Sequence, residues 1–375
     1  MHTTDWDRSV QLVTKLALPM HMAGQLPTVQ RWLRAIGDAN IARYPPLAVL
    51  MCWSAVLTGD TAGAQRWAAF VDAGSFDGVP VDGSASFDSA RAMVRAGMCP
   101  AGPEAMMAEA AFAAAQEPEW SPWRAEVLWL QGEAHLLAGH LDEARKALTE
   151  ASAVAVLMGN TDTGVICDSE LALLAIDRGD WQEAAGRLER ALATIDEHRM
   201  HDYVGCLLAF AEAARLSLRR SDPSEAHRQL TRAMRARPSA TYVFPYVAVR
   251  LRLQLAKVYL ALAEVAIARQ LVRETDDILR HRPALGTLVG EIEDFRRVLA
   301  PSATTEVAGR SPLTPAELRL LPYLQTHLTV ERIAERLFVS SWTVKTQVKS
   351  VYRKLGVSSR NDAVQKAATI GLLGA

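Results

Sequence analysis

The chain has few cysteines, few aromatics and no excess of charge of either sign. Its 375 residues include four cysteines, 6% aromatics, and 41 Lys+Arg against 42 Asp+Glu. Cys52, Cys99, Cys167 and Cys206 stand dozens of residues apart. That spacing excludes a zinc ligand set and a dense disulfide framework, and it predicts a reduced, cytoplasmic protein. No run reaches the roughly 18 uninterrupted apolar residues of a membrane span, so no membrane partner is expected. The first residues, Met1-His2-Thr3-Thr4-Asp5-Trp6-Asp7, carry acids where a secretory leader carries bases, and no signal peptide is expected. There is no Gly-x-x-x-x-Gly-Lys-Ser/Thr phosphate loop. Val/Ile/Thr-rich alternation is scarce, which excludes the parallel sheet of a nucleotide-binding or receiver domain. Paired carboxylates, metal-ligand spacing and nucleophile motifs do not rise above background. The expectation is therefore no enzyme, no cofactor and no metal.

What is present is an ordinary folding composition, half apolar and 22% charged. The length allows two or three domains, or one domain plus a repeat array. The near-zero net charge conceals an asymmetry. Residues 311–375 hold 9 Lys+Arg and 4 Asp+Glu, a charge of +5, against −6 for the remainder. A small basic end on a large acidic body suggests a nucleic-acid-binding module attached to something else. Opposite charges also allow the module to dock on the body.

The body reads helical nearly throughout. One pattern recurs: an apolar helix, a small turn residue, an acidic or polar residue, then Ala one turn into the next helix. It is clearest at Ala138-Gly139-His140-Leu141-Asp142-Glu143-Ala144 and Arg178-Gly179-Asp180-Trp181-Gln182-Glu183-Ala184. An early copy turns at Gly59-Asp60, a weaker one at Ser221-Asp222, and a further unit is expected to turn at Gly24. Ala64, Ala105, Ala144, Ala184, Ala226 and Ala268 are spaced 41, 39, 40, 42 and 42 residues apart. Glycine suits a helix end because that position often needs positive φ, and a small Ala lets the second helix lie close to the first. Hairpins that cannot bury their apolar faces alone must stack. Gly74, Gly78, Pro80, Gly83, Gly97, Pro100, Gly102 and Pro103 interrupt the pattern and predict a loop with a short or irregular hairpin. Trp32, Trp53, Trp67 and Trp181 lie at helical spacing from apolar neighbours and read as core.

The helical pattern stops near Leu299, and Pro, Ser, Thr and Gly dominate the next dozen residues, which reads as a flexible linker. Thr314-Pro315-Ala316-Glu317 is a capping box with Pro at the first helical position. Ile333, Ala334 and Leu337, a turn through Phe338-Val339-Ser340, then Val344 read as a helix-turn-helix. On its second helix Val344, Val348, Val351 and Leu355 form a core-facing stripe, while Lys345, Lys349 and Arg353 run along another face. Such a helix suits the DNA major groove. Ser359–Asp362 begin a fourth helix, in which Ala363, Val364, Ala367, Ala368 and Ile370 offer an apolar stripe for pairing.

The repeat resembles the tetratricopeptide pattern at Gly132, Ala134, Gly139, Leu141 and Ala144, although its period exceeds that family's ~34 residues. Carrying over the family's groove-facing positions implies an effector groove lined by Trp129, Glu133, Arg215, Arg250 and Lys257. Residues 313–370 resemble the LuxR-type helix-turn-helix family of bacterial transcription regulators. The likeness rests on Leu313-Thr314, Glu317, Leu321, Ile333-Ala334, Leu337, Val339-Ser340, Thr343-Val344-Lys345-Thr346, Lys354-Leu355-Gly356-Val357, Arg360 and Ala363-Val364. Gln347 stands where that family often has His, and Leu328-Thr329-Val330-Glu331 replaces a Gly-Leu-Ser-Asn-like stretch.

The resemblance implies base contacts from Lys345, Thr346 and Lys349. It implies backbone contacts from Ser341, Trp342, Thr343, Arg353, Lys354 and Arg360. The whole chain is similar to the C-terminal part of the MalT-like subgroup, without its nucleotide-binding switch domain. The expected fold is all-α: a tetratricopeptide-like hairpin superhelix over 1–299, a linker over 300–311 and a four-helix LuxR-type domain over 312–375. The expected function is a transcription regulator that binds double-stranded DNA as a homodimer and senses a small molecule or protein in the superhelix. The alternative is a protein-interaction scaffold localised to DNA by its C-terminal module.

Overall fold

The computed structural model describes residues 3–300 except 24 and 42, and residues 313–373 except 327, 338, 370 and 371. The turn expected at Gly24, the linker residues 301–312, Phe338 and Ile370 therefore lie outside the described residues. Among those described, every regular element is helical and there is no strand.

Helices α1 (Thr3–Met22), α2 (Leu26–Ile36) and the short α3 (Asp38–Ile41) open the chain. Six hairpins follow. They are α4 (Pro45–Thr58) with α5 (Thr61–Ala73), α6 (Phe87–Met98) with α7 (Pro103–Gln116), and α8 (Arg124–Ala138) with α9 (Leu141–Met158). Next come α10 (Thr161–Asp177) with α11 (Trp181–His198), α12 (Leu207–Arg219) with α13 (Pro223–Ala236), and α14 (Pro245–Ala261) with α15 (Val265–His281). Helix α16 (Thr287–Leu299) closes the body. The C-terminal module is α17 (Pro315–Leu324), α18 (Val330–Leu337), α19 (Ser341–Leu355) and α20 (Arg360–Thr369).

The turn chemistry explains the repeat. Gly59, Gly139 and Gly179 take left-handed φ of 72°, 82° and 79°. The acid after the glycine is a helix N-cap: Asp60 accepts from the Gly63 N–H at 3.0 Å, and Asp180 from the Glu183 N–H at 3.0 Å. Copies without glycine keep the geometry, with Ser221 at φ 60° and Ala263 at φ 62°, so the stacked helices impose a backbone that those residues disfavour. Ala64, Ala144, Ala184, Ala226 and Ala268 are fully buried at the helix crossings. Ala105 is only half-buried, because Met106 and Ala110 take the inward positions on α7. The Gly/Pro-rich stretch does hold a loop, over residues 74–86, but the hairpin after it is regular.

The hairpins form two layers. Fourteen residues of the seventeen in α10 are buried, whereas its partner α11 buries only Ala184, Leu188, Ala191 and Ile195. Helices α8, α12 and α14 are interior like α10. Their polar groups must therefore pair inside the protein. The Arg250 guanidinium donates to Glu133 Oε2 at 2.8 Å and Glu170 Oε1 at 2.6 Å, tying α14 to α8 and α10. Burial pushes the Glu170 carboxyl well above its usual range; Arg250 opposes that shift and the adjacent Glu133 adds to it. Arg252 donates to Glu274 at 3.0 Å and to the carbonyls of Ala240 and Ala248, each at 3.0 Å.

Arg250→Met leaves two interior carboxyls without a counter-charge and should destabilise the body by about 3–5 kcal/mol in chemical denaturation. A loss below about 1 kcal/mol would mean that the cluster does not hold the inner helices together.

Candidate nucleic-acid interface

The module builds one helix face from the inside outwards. Thr314 and Glu317 cap α17 reciprocally: the Thr314 N–H donates to Glu317 Oε2 at 2.6 Å, and the Glu317 N–H to Thr314 Oγ1 at 3.3 Å. Helices α18 and α19 cross over buried Ile333, Ala334 and Val344, and the Val339 N–H returns to the Ala334 carbonyl at 3.1 Å. Ser340 caps α19 by accepting from the Thr343 N–H at 3.0 Å, and Gly356 ends it at φ 66°. Val351 and Leu355 continue the buried stripe, with Val348 packed against it.

That stripe fixes what faces outwards. Lys345, Thr346, Lys349 and Arg353 are exposed, and Trp342 is 75% exposed at the start of α19. Ser341 and Thr343 are half-buried beside it. Lys345 and Lys349 make no ion pair among the described residues, and Arg353 reaches only Ser350 Oγ, at 3.4 Å. The result is an exposed basic row that forms no ion pair among the described residues.

Lys354 and Arg360 sit differently. Lys354 Nζ donates to Glu317 Oε2 at 2.8 Å, with both side chains largely covered. Burial alone would raise the Glu317 carboxyl, but bonds from Lys354, Ser350 and Thr314 hold it below its usual range. The Arg360 guanidinium donates to the carbonyls of Leu324, Leu328, Tyr323 and Thr326 at 3.0, 2.9, 2.8 and 2.7 Å. It ties α20 to the end of α17 and the following turn. Ala363 and Ala367 of the expected pairing stripe on α20 are fully buried in the module's own core, and Val364 and Ala368 are half-buried against it.

The module also meets the body. Gln270 on α15 donates to the Leu313 carbonyl at 3.4 Å, and α17 lies beside the short turn Arg237–Ser239. The basic row of α19 stays exposed in this arrangement.

Of the five residues expected to line a groove, Trp129, Glu133 and Arg250 are 3%, 0% and 4% exposed. Glu133 and Arg250 meet in the interior ion cluster, while Trp129 stands apart against Phe244 and Tyr246. Arg215 is bonded to Gln254 at 2.8 Å and Glu212 at 3.3 Å, and Lys257 is half-buried nearby. Burial pushes the Glu212 carboxyl up to about 7.

Residues 311–367 match the family of bacterial regulatory proteins, luxR family. Solved structures with a distant likeness include BtubC (BKLC) from P. vanneervenii, at 14% identity over 72% of this chain and 98% of that one, with a TM-score of 0.35. Another is a monomeric mutant of IFIT1 with m7Gppp-AAAA, at 16% identity over 97% of this chain and 82% of that one, with a TM-score of 0.36.

The two kinds of basic residue should separate experimentally. Arg360→Met strips partners from four carbonyls and should lower the module's melting stability by roughly 1–3 kcal/mol. Lys349→Ala, on an unpaired exposed residue, should leave melting within about 0.5 kcal/mol of wild type. Equal melting of the two variants would contradict this division.

Proposed function

We propose that this chain, whose C-terminal module is a luxR-family helix-turn-helix domain, is a transcription regulator that recognises specific double-stranded DNA through α19 and whose helical body senses an effector. The observation that carries the reading is the exposed row Lys345, Lys349 and Arg353, without ion pairs among the described residues, beside the buried valine stripe. A helix anchored on one side and basic on the other enters a major groove with its long side chains aimed at base edges.

In this reading Lys345, Thr346 and Lys349 contact bases. Ser341, Trp342 and Thr343 bring the N–H groups at the start of α19 to a phosphate, where the helix end favours negative charge. Arg353 adds a phosphate contact. Lys354 pins α19 to α17 through Glu317 and Arg360 pins α20 to the end of α17 through four carbonyls, so in this reading both support the reading helix instead of contacting DNA. The body over 1–299 acts as the sensor, residues 300–311 as the connection, and 312–375 as the DNA-binding domain. In this reading the chain works in the cytoplasm as a bacterial regulator of the MalT-like kind without the nucleotide-binding switch domain, and a dimer on two half-sites doubles a small footprint. The exposed α19 row leaves DNA access open while α17 touches the body, so effector control acts on how the module is held and not by covering its reading face.

Two variants test the assignment by fluorescence anisotropy. Lys349→Ala should lose about 1–3 kcal/mol on the selected operator and less on random DNA; an equal loss on both would reduce Lys349 to a phosphate contact. Arg353→Ala should weaken all sequences alike and lower the magnitude of the salt slope by about one unit. An unchanged slope would remove Arg353 from the backbone.

A further inference from the structure

The body encloses a cavity where α1, α2, α4, α8 and α10 meet the start of α14. It offers about 50 Å³ open to the centres of water molecules. One water needs about 10–15 Å³ by that measure, so there is room for several waters or one small ring. The wall is mainly apolar, with Leu18, Leu26, Ile166 and Phe244 among its residues. Into this wall the sequence sets three tryptophans, Trp53, Trp123 and Trp129.

The polar groups of the lining are incompletely paired. None of the three indole N–H groups has a hydrogen-bond partner among the described residues. Asp162 uses Oδ2 on His21 Nε2 at 3.3 Å, while its Oδ1 and His21 Nδ1 are buried without partners. Glu126, also in the lining, takes the Asn160 amide at 2.7 Å. Burial pushes the Glu126 carboxyl up to about 7, with the His21 charge pulling the other way. Leaving a buried polar group without a partner is costly, so five such groups on residues that line one cavity call for an occupant. Ordered water is the alternative occupant, because it pairs with buried polar groups that lack protein partners, and saturable amine binding distinguishes the two.

The chemistry of the wall selects the occupant. Two carboxyl groups face one imidazole, which disfavours an anion. Indole faces favour an organic cation, and indole N–H groups require an acceptor atom. We propose that this cavity binds a compact organic amine: a single apolar ring whose ammonium group pairs with Asp162 and whose oxygen substituent accepts from an indole N–H. This rests on the reading of the body as a sensor and names the class of molecule it senses. The occupant bridges α1 and α2 to the inner helices of three later hairpins, α4, α8 and α10, and to Phe244, which immediately precedes α14, the helix that carries Arg250.

The test uses the full chain with tyramine, phenethylamine and benzylamine, followed by tryptophan fluorescence and thermal melting. The carboxylate 3-(4-hydroxyphenyl)propionate serves as the matched anion. Tyramine should quench fluorescence saturably and raise the melting temperature, and the carboxylate should do neither. Asp162→Asn should weaken amine binding about tenfold or more. Ser54→Leu, which fills the cavity from α4 without touching the acids, should abolish it. The proposal is overturned if no amine binds at millimolar concentration, if the carboxylate binds as well as tyramine, or if Ser54→Leu leaves binding intact. Operator affinity measured with and without tyramine separates the two readings. Amine binding with unchanged DNA affinity upholds the cavity and removes the sensor; no amine binding alongside intact operator recognition removes the cavity alone.

Discussion

The inner helices of the body are surrounded on all sides, so every charge they carry has to meet its opposite inside the protein. Arg250 is where this constraint is most visible. One guanidinium, 4% exposed, holds carboxyls from two other inner helices, Glu133 and Glu170, across sequence separations of 117 and 80 residues. Apolar stacking of hairpins is tolerant of small shifts, whereas a buried ion cluster has one acceptable geometry. The cluster therefore fixes the register of α8, α10 and α14, and with it the walls of the cavity that those helices line. The outer helices solve an easier problem: their ion pairs, such as Arg145 with Asp142, lie in solvent and contribute little to stability.

The C-terminal module applies the same rule on a smaller scale. Its core is built on leucines of α17 and valines of α19, and a domain of this size buries a modest share of its surface. Lys354 and Arg360 supplement that core by closing α19 and α20 onto α17, using donors that the module's own basic composition makes available. What remains outward is the short row from Trp342 to Arg353. Exposed basic residues and basic residues that hold the module together lie within a few positions of each other in sequence.

Much of this was legible before the structure. The turn glycines, the capping acids, the Thr314–Glu317 box and the paired stripes of α19 all have local causes, since each is a matter of a few residues and one helical period. The parts that were not legible depend on distant partners. Arg360 reads as a DNA contact because the carbonyls it serves lie 32 to 37 residues away and carry no side-chain signal. Trp129, Glu133 and Arg250 read as groove residues because repeat position alone does not reveal how tightly inner helices close. Ala263 conceals a turn that packing enforces on an unfavoured residue, whereas the turn at Ser221 is readable from the capping Asp222 that follows it. The cavity draws its lining from Ala17 to Phe244, across five helices and the residue that begins a sixth, so no window of sequence contains it.

The account's central claim is that an unpaired basic face on α19 reads DNA sequence. The most direct test is selection of binding sites from a random duplex library, using the full wild-type chain and a variant with Lys345 and Lys349 both changed to Ala. The wild type should enrich one recurrent motif, and the variant should retain salt-dependent binding to the pool while enriching none. Failure of the wild type to enrich any motif, or recovery of the same motif by the variant, would contradict it.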